Sequence, residues 1–154
     1  MSALPSQSRY IIGTEACERF SFYGMKSILM LYMTGHLLMS DNWSTSTLHI
    51  FVAMVYLLPL AGAWLADKVW GRYKTILYIS LLYCVGHGVL ATADLSHTIE
   101  ARRYILMAGL FIIALGAGGI KPCVSAFMGD QIPNKSPQLM TKAFNAFYWA
   151  INLG

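Results

Sequence analysis

Five ionisable side chains lie inside stretches that are otherwise apolar: Glu15, Glu18, Arg19 and Lys26 in one, Lys121 in another. A charge at the centre of a membrane helix costs about 2.5 to 3.5 kcal/mol even on insertion scales, so such residues face a cavity or a partner of opposite sign. Glu15, Glu18 and Arg19 stand at i, i+3 and i+4, which puts both carboxylates on one helical face beside a guanidinium. A carboxylate paired with a cation stays ionised; without that partner, in a cavity of low dielectric, it takes up a proton, so helix movement can load and unload one. These residues leave a second reading open, a static ion-pair network near one rim of the membrane.

Such chemistry needs helices to carry it across a bilayer. The chain has 154 residues, 56% hydrophobic, 13% aromatic and only 12% charged, whereas a soluble domain carries roughly 25% charged residues. This composition predicts a membrane protein and excludes a soluble enzyme or a disordered tail. A net charge of +4 over 11 basic residues forms no phosphate-tracking stripe, which excludes a nucleic-acid partner. A hydrocarbon core about 30 Å thick takes about 20 mostly apolar residues per helix. Residues 11–39, 48–66, 75–93 and 104–128 supply four such spans, and 141–154 begins a fifth that the sequence cuts off. The expected fold is therefore all-α and integral to a lipid bilayer, with connectors too short for a second domain.

Arg9, Lys68, Arg72, Lys74, Lys135 and Lys142 lie on one side of these spans, against Arg102 and Arg103 on the other, which predicts a cytoplasmic N-terminus. Residues 1–8 show no basic run or cleavage pattern, so the first span is expected to direct insertion. Cys17, Cys84 and Cys123 fall one each in three apolar segments and read as buried thiols without a disulfide. The small residues Ala114 to Gly119 would let the fourth span approach another helix closely. No metal-ligand cluster, no Ser/His or Cys/His pair at a common depth and no phosphate-cradling glycine loop is visible, so neither a metal nor an enzymatic reaction is expected.

Depth sharpens the picture, at about 1.5 Å of rise per residue. With the fourth span ending near Met128, Lys121 lies about 10 Å from the inner boundary, and Glu18 and Arg19 reach a similar level on the first span. A Glu/Glu/Arg/Lys cluster between two helices is thus geometrically allowed. Tyr23, Tyr56 and Asn152 fall together roughly 16 to 18 Å from the inner face, near mid-membrane, with Lys26 about one turn farther out. Hydroxyl, amide and ammonium groups at that depth suit a substrate bearing a carboxylate, held between helices.

Residues 15–24, Glu-Ala-Cys-Glu-Arg-Phe-Ser-Phe-Tyr-Gly, resemble the E-x-x-E-R-F-x-Y-Y-G signature of the proton-dependent oligopeptide transporters, a branch of the major facilitator superfamily. Residues 118–127, Gly-Gly-Ile-Lys-Pro-Cys-Val-Ser-Ala-Phe, followed by Gly129-Asp130-Gln131, resemble that family's fourth-span motif. Residues 147–154 resemble its fifth-span F-Y-x-x-I-N-x-G, and residues 65–74 are similar to the superfamily's loop between spans two and three. The resemblance implies a twelve-helix, proton-coupled symporter of di- and tripeptides working by alternating access, in a plasma membrane or bacterial inner membrane. This chain would supply most of the N-terminal six-helix half, with the C-terminal half of the same transporter as its partner, small peptides as ligand and no cofactor beyond the coupling proton.

The same resemblance assigns roles. Glu15, Glu18, Arg19 and Lys121 would couple protons, and Tyr23, Lys26, Tyr56 and Asn152 would contact peptide. Lys26 stands where many members have Arg, which keeps the charge and loses the bidentate fork. Phe22 stands where many have a second Tyr. His49 matches a proton-linked His of part of the family, and its ordinary pKa near 6.5 suits that role, although its position at the end of a span equally fits a plain interfacial residue. Asp67, Gly71, Arg72 and Lys74 resemble a conformational latch and read as gating residues. Two alternatives remain at this level: proton-coupled uptake of nitrate, a dicarboxylate or another small metabolite, and a non-transporting membrane subunit whose polar cluster serves assembly.

Overall fold

The structure, a computed structural model, describes residues 4–133 and 136–153. Lys135, counted above among the basic loop residues, and Gly154, the last residue of the fifth-span motif, lie outside the described residues. Helix α1 runs Ser6–Leu31 and continues through one π-helical turn, Tyr32–His36. α2 runs Asp41–Leu65 into a second π-helical turn, Ala66–Trp70. α3 covers Arg72–Ala91, followed by a short 3-10 turn at Ala93–Leu95; α4 covers Ile99–Asp130 and α5 Pro137–Leu153.

Side-chain caps explain why α2 and α4 outrun the apolar stretches that signalled them. Ser40 Oγ accepts from the Trp43 N–H at 3.4 Å, starting α2 at Asp41 rather than at residue 48. Thr98 Oγ1 accepts from the Ala101 N–H at 3.3 Å and starts α4 at Ile99 rather than at 104. α5 opens on Pro137, whose fixed φ and missing N–H suit a first helical position. The first span, by contrast, stops short of residue 39: past His36 the chain turns through Leu38, the one non-glycine positive φ (50°) among the described residues. The extended α2, the extended α3 and α4 are each long and apolar enough to cross a membrane, while α1, of similar length, carries the charges described above.

α4 is the axis of the bundle. Its buried face runs from Leu106 and Leu110 through Ile113, Ala114 and Ala117 to Ile120, Val124 and Met128. α2 meets it where Gly62 faces Gly119: a Cβ on Gly62 would overlap the Gly119 carbonyl oxygen and Cα. α3 meets it at Gly116, where a Cβ would stand 2.7 Å from the Cα of Tyr83. Small residues here let backbones touch, the packing that replaces hydrophobic collapse inside lipid. α1 and α5 close the bundle through Phe22, Leu29, Ala143 and Phe147, all buried. All three cysteines are free, but Cys17 and Cys84 are exposed on their helices and only Cys123 is buried, its thiol near the Gly62 and Gly119 carbonyls. An apolar stretch fixes which residues tolerate lipid; it does not fix which of them face another helix.

Candidate functional site

Glu15, Glu18 and Arg19 are 6%, 8% and 7% exposed, buried where α1 meets its neighbours. Arg19 Nε lies 3.1 Å from Glu15 Oε1, and Arg19 Nη2 lies 2.6 Å from Glu18 Oε2. Beyond these ion-pair contacts, neither Glu18 carboxylate oxygen nor Arg19 Nε has a hydrogen-bond partner among the described residues. Two carboxylates share one guanidinium. A groove of about 690 Å³ between α1, α3 and α4 borders them, lined also by Ser21, Tyr83 and His87.

Lys121 does not complete the four-membered cluster that depth alone allowed. It is half-buried on α4 and faces α1 and α2, and no ion pair within 4.0 Å joins it to a carboxylate among the described residues. Its ammonium lies 5.5 Å from the centroid of the Phe22 ring on α1 and 5.1 Å from that of Tyr56 on α2. A ring face attracts a cation through its quadrupole, and at this crossing two rings face the Lys121 ammonium. The charge on Lys121 still acts through space on both Glu15 and Glu18.

α3 holds the same turn of α1 from the other side, through residues that the sequence did not single out. Tyr83 Oη donates to the Glu18 carbonyl at 3.4 Å, and His87 Nε2 shares a 3.3 Å hydrogen bond with Ser21 Oγ. Tyr83 and His87 pack edge to face with centroids 4.6 Å apart. The available signal was their i, i+4 spacing on one face of α3.

The residues expected at mid-membrane are less united. Tyr23 is exposed and meets Phe22 edge-on at 5.5 Å; Lys26 is half-buried; Tyr56 is exposed apart from its contact with Lys121. Asn152, also exposed, turns its amide back onto its own helix and donates to the Tyr148 carbonyl at 2.7 Å. Among the described residues no hydrogen bond links these four to one another, and His49 is exposed on α2 with no side-chain hydrogen bond.

At the α2–α3 connection, Arg72 reaches Asp130 at the end of α4, Nη1 to Oδ2 2.6 Å. Asp67, the carboxylate the resemblance picked, is exposed and borders a small cavity with Arg72, Pro122 and Cys123, and Lys74 is exposed. Gly71 adopts φ 75°, ψ 158°, a conformation open to glycine alone, and lets the chain reverse between α2 and α3. At the other rim, Asp94 accepts from Tyr32 Oη at 2.9 Å and lies 3.0 Å from His36 Nε2. Beside it Arg103 donates to the carbonyls of Leu37 (3.1 and 2.8 Å) and Leu38 (2.7 Å), fastening the end of α1 to α4.

Three comparisons place this arrangement among known proteins. The POT family model matches residues 73–154. "Peptide transporter family 1" of Drosophila melanogaster is 46% identical over 152 residues, which is 97% of this chain and 20% of that protein. "Solute carrier family 15 member 1" of Homo sapiens is 41% identical, covering 94% of this chain and 22% of that protein. Among solved structures, that of the POT family transporter PepTSo is similar at a TM-score of 0.85 and 46% identity, over 98% of this chain and 30% of that one. The chain thus spans about a fifth of the length of the curated relatives it matches.

Proposed function

The chain belongs to the POT family, and from that membership we propose that it serves as part of a proton-coupled symporter of di- and tripeptides. Its fold is an all-α integral-membrane bundle, the N-terminal part of a major facilitator superfamily bundle. The proposed whole has twelve helices, with the N-terminus in the cytoplasm of a plasma membrane or bacterial inner membrane, a C-terminal half that completes the binding cavity, no cofactor and no enzymatic step. Peptide as substrate follows from the name of the Drosophila relative.

The observation that carries the reading is the buried Glu15–Arg19–Glu18 group, with one guanidinium for two carboxylates and, among the described residues, no partner for the Glu18 carboxylate other than Arg19. A buried carboxylate in that condition is poised between two states: ionised while Arg19 stays near, protonated when α1 shifts or when the proton arrives first. The bordering groove gives the group a route to its surroundings. Tyr23, Lys26, Tyr56 and Asn152 remain the proposed peptide contacts, with Asn152 released from the Tyr148 carbonyl when substrate arrives. Asp67, Gly71, Arg72 and Lys74 form the proposed gate, because the Arg72–Asp130 pair ties the α2–α3 connection, where all four lie, to the end of α4.

The test is Glu18→Gln in the full-length protein, reconstituted in vesicles. Proton-driven dipeptide uptake is lost while the protein remains folded and membrane-inserted; retained proton-driven uptake would overturn the reading. Competition separates substrates, since dipeptides and not nitrate should suppress uptake of a labelled dipeptide. An assembly subunit would instead change its oligomeric profile on Glu18→Gln and show no uptake in the wild type.

A further inference from the structure

A cavity of about 480 Å³ opens at the rim where α1 ends, between the turn that joins α1 to α2 and the first turns of α4. Glu100 and Arg103 both line it, one helical turn apart on α4, yet no ion pair within 4.0 Å joins them to each other or to any other residue among those described. Arg103 is fixed instead by neutral groups. Its Nε and Nη2 donate to the Leu37 and Leu38 carbonyls, and its Nη1 makes no hydrogen bond among the described residues. Carbonyls hold a guanidinium in place without cancelling its charge. The cavity therefore presents one carboxylate and one positioned cation, each without an ionic partner among the described residues. Its remaining walls include the exposed rings of Trp43 and Tyr104, the exposed Leu38 and the half-buried Met107. Depth places these groups at a boundary. With the apolar stretches starting at residues 48 and 104, Trp43 and Glu100 stand about 6 to 8 Å outside the hydrocarbon, within the headgroup layer, while Met107 lies inside it.

We propose that this cavity seats the headgroup of an aminophospholipid from the surrounding leaflet. Its phosphate sits on Arg103, its primary ammonium on Glu100, and an acyl chain passes Met107 into the hydrocarbon. Residues at i and i+3 on a helix stand about 5 to 6 Å apart at their Cβ atoms, a span that the two-carbon bridge between phosphate and ammonium can cover. Trp43 and Tyr104 alone would be ordinary belt aromatics; the charge pair beside them supplies the selectivity. A quaternary ammonium has no N–H to give Glu100, and a headgroup that is only anionic meets its repulsion. The proposal stands on the rim and is independent of the transport reading.

Native mass spectrometry of the full-length protein tests this, with the protein stripped of lipid in detergent and titrated with phosphatidylethanolamine, phosphatidylcholine or phosphatidylglycerol of matched chains. The wild type is expected to bind one phosphatidylethanolamine about tenfold more tightly than either comparator, the scale of one charge-assisted hydrogen bond. Glu100→Gln abolishes the advantage over phosphatidylcholine and leaves phosphatidylcholine binding as it was. Glu100→Lys reverses the order, so that phosphatidylglycerol binds best. Glu100 is exposed and makes no side-chain hydrogen bond among the described residues, so both variants keep the melting temperature of the wild type. Equal binding of the three lipids by the wild type overturns the proposal, and it is also the result expected if another part of the full-length chain fills the cavity. A preference for phosphatidylethanolamine that survives Glu100→Gln or Glu100→Lys overturns it too. So does soluble glycerophosphoethanolamine competing as well as the lipid, since the occupant would then be a free headgroup rather than a membrane lipid.

Discussion

Inside the bundle, Glu15, Glu18 and Arg19 carry three charges on two ion-pair contacts, and the Glu18 carboxylate has no partner beyond Arg19 among the described residues. At the rim where α1 ends, the balance is reversed. One carboxylate, Asp94, is met by Tyr32 and His36, with Arg102 at 4.0 Å, and one guanidinium, Arg103, donates three hydrogen bonds to two backbone carbonyls. Buried polar groups are ordinarily satisfied, and the exceptions mark strain or chemistry. Under the proposed transport role, the poorly partnered group is the one that changes state and the well partnered rim the one that holds still.

The contrast breaks most visibly at Arg19. Arg19→Gln strands two buried carboxylates, and the full-length protein is expected to lose about 3 to 5 kcal/mol of stability, read as a fall in melting temperature; an unchanged melting temperature would mean that the group is hydrated and ordinary. A smaller loss follows from Arg103→Gln, which removes the fastening of Leu37 and Leu38: about 1 to 3 kcal/mol, with faster proteolysis at the turn after His36 as a local readout. The smallest effect belongs to Asp94→Asn. Its side chain is 59% exposed, water and salt screen its contacts, and the melting temperature should not move. A large loss there would place Asp94 with the strained group and erase the distinction.

Much of this was legible along the chain. The i, i+3, i+4 placement of Glu15, Glu18 and Arg19 is a property of one helix, and a single helix brings its own neighbours together whatever packs against it. The glycine run of α4 announced close packing, and the helix crossings confirm where it acts. Contacts between helices were harder to read. The approach of Lys121 to the Phe22 and Tyr56 rings depends on how α1, α2 and α4 cross, and the choice of Asp130 by Arg72 depends on where α4 ends. The turn of Asn152 onto Tyr148 is a local hydrogen bond that depth counting does not see. Helix limits moved for a similar reason: Ser40 and Thr98 are polar, so a hydropathy boundary passes over them, yet each stops a helix from fraying.

The crossing of Gly62 over Gly119 carries one mechanical corollary. With backbone resting on backbone, the two helices leave no room at this crossing for any larger side chain, which favours α2 and α4 moving together. The glycines of α1 have no such lock, since a Cβ on Gly13 or Gly24 would meet nothing within 4 Å. Displacement in this bundle is therefore expected first on α1, whose glycines leave room for it.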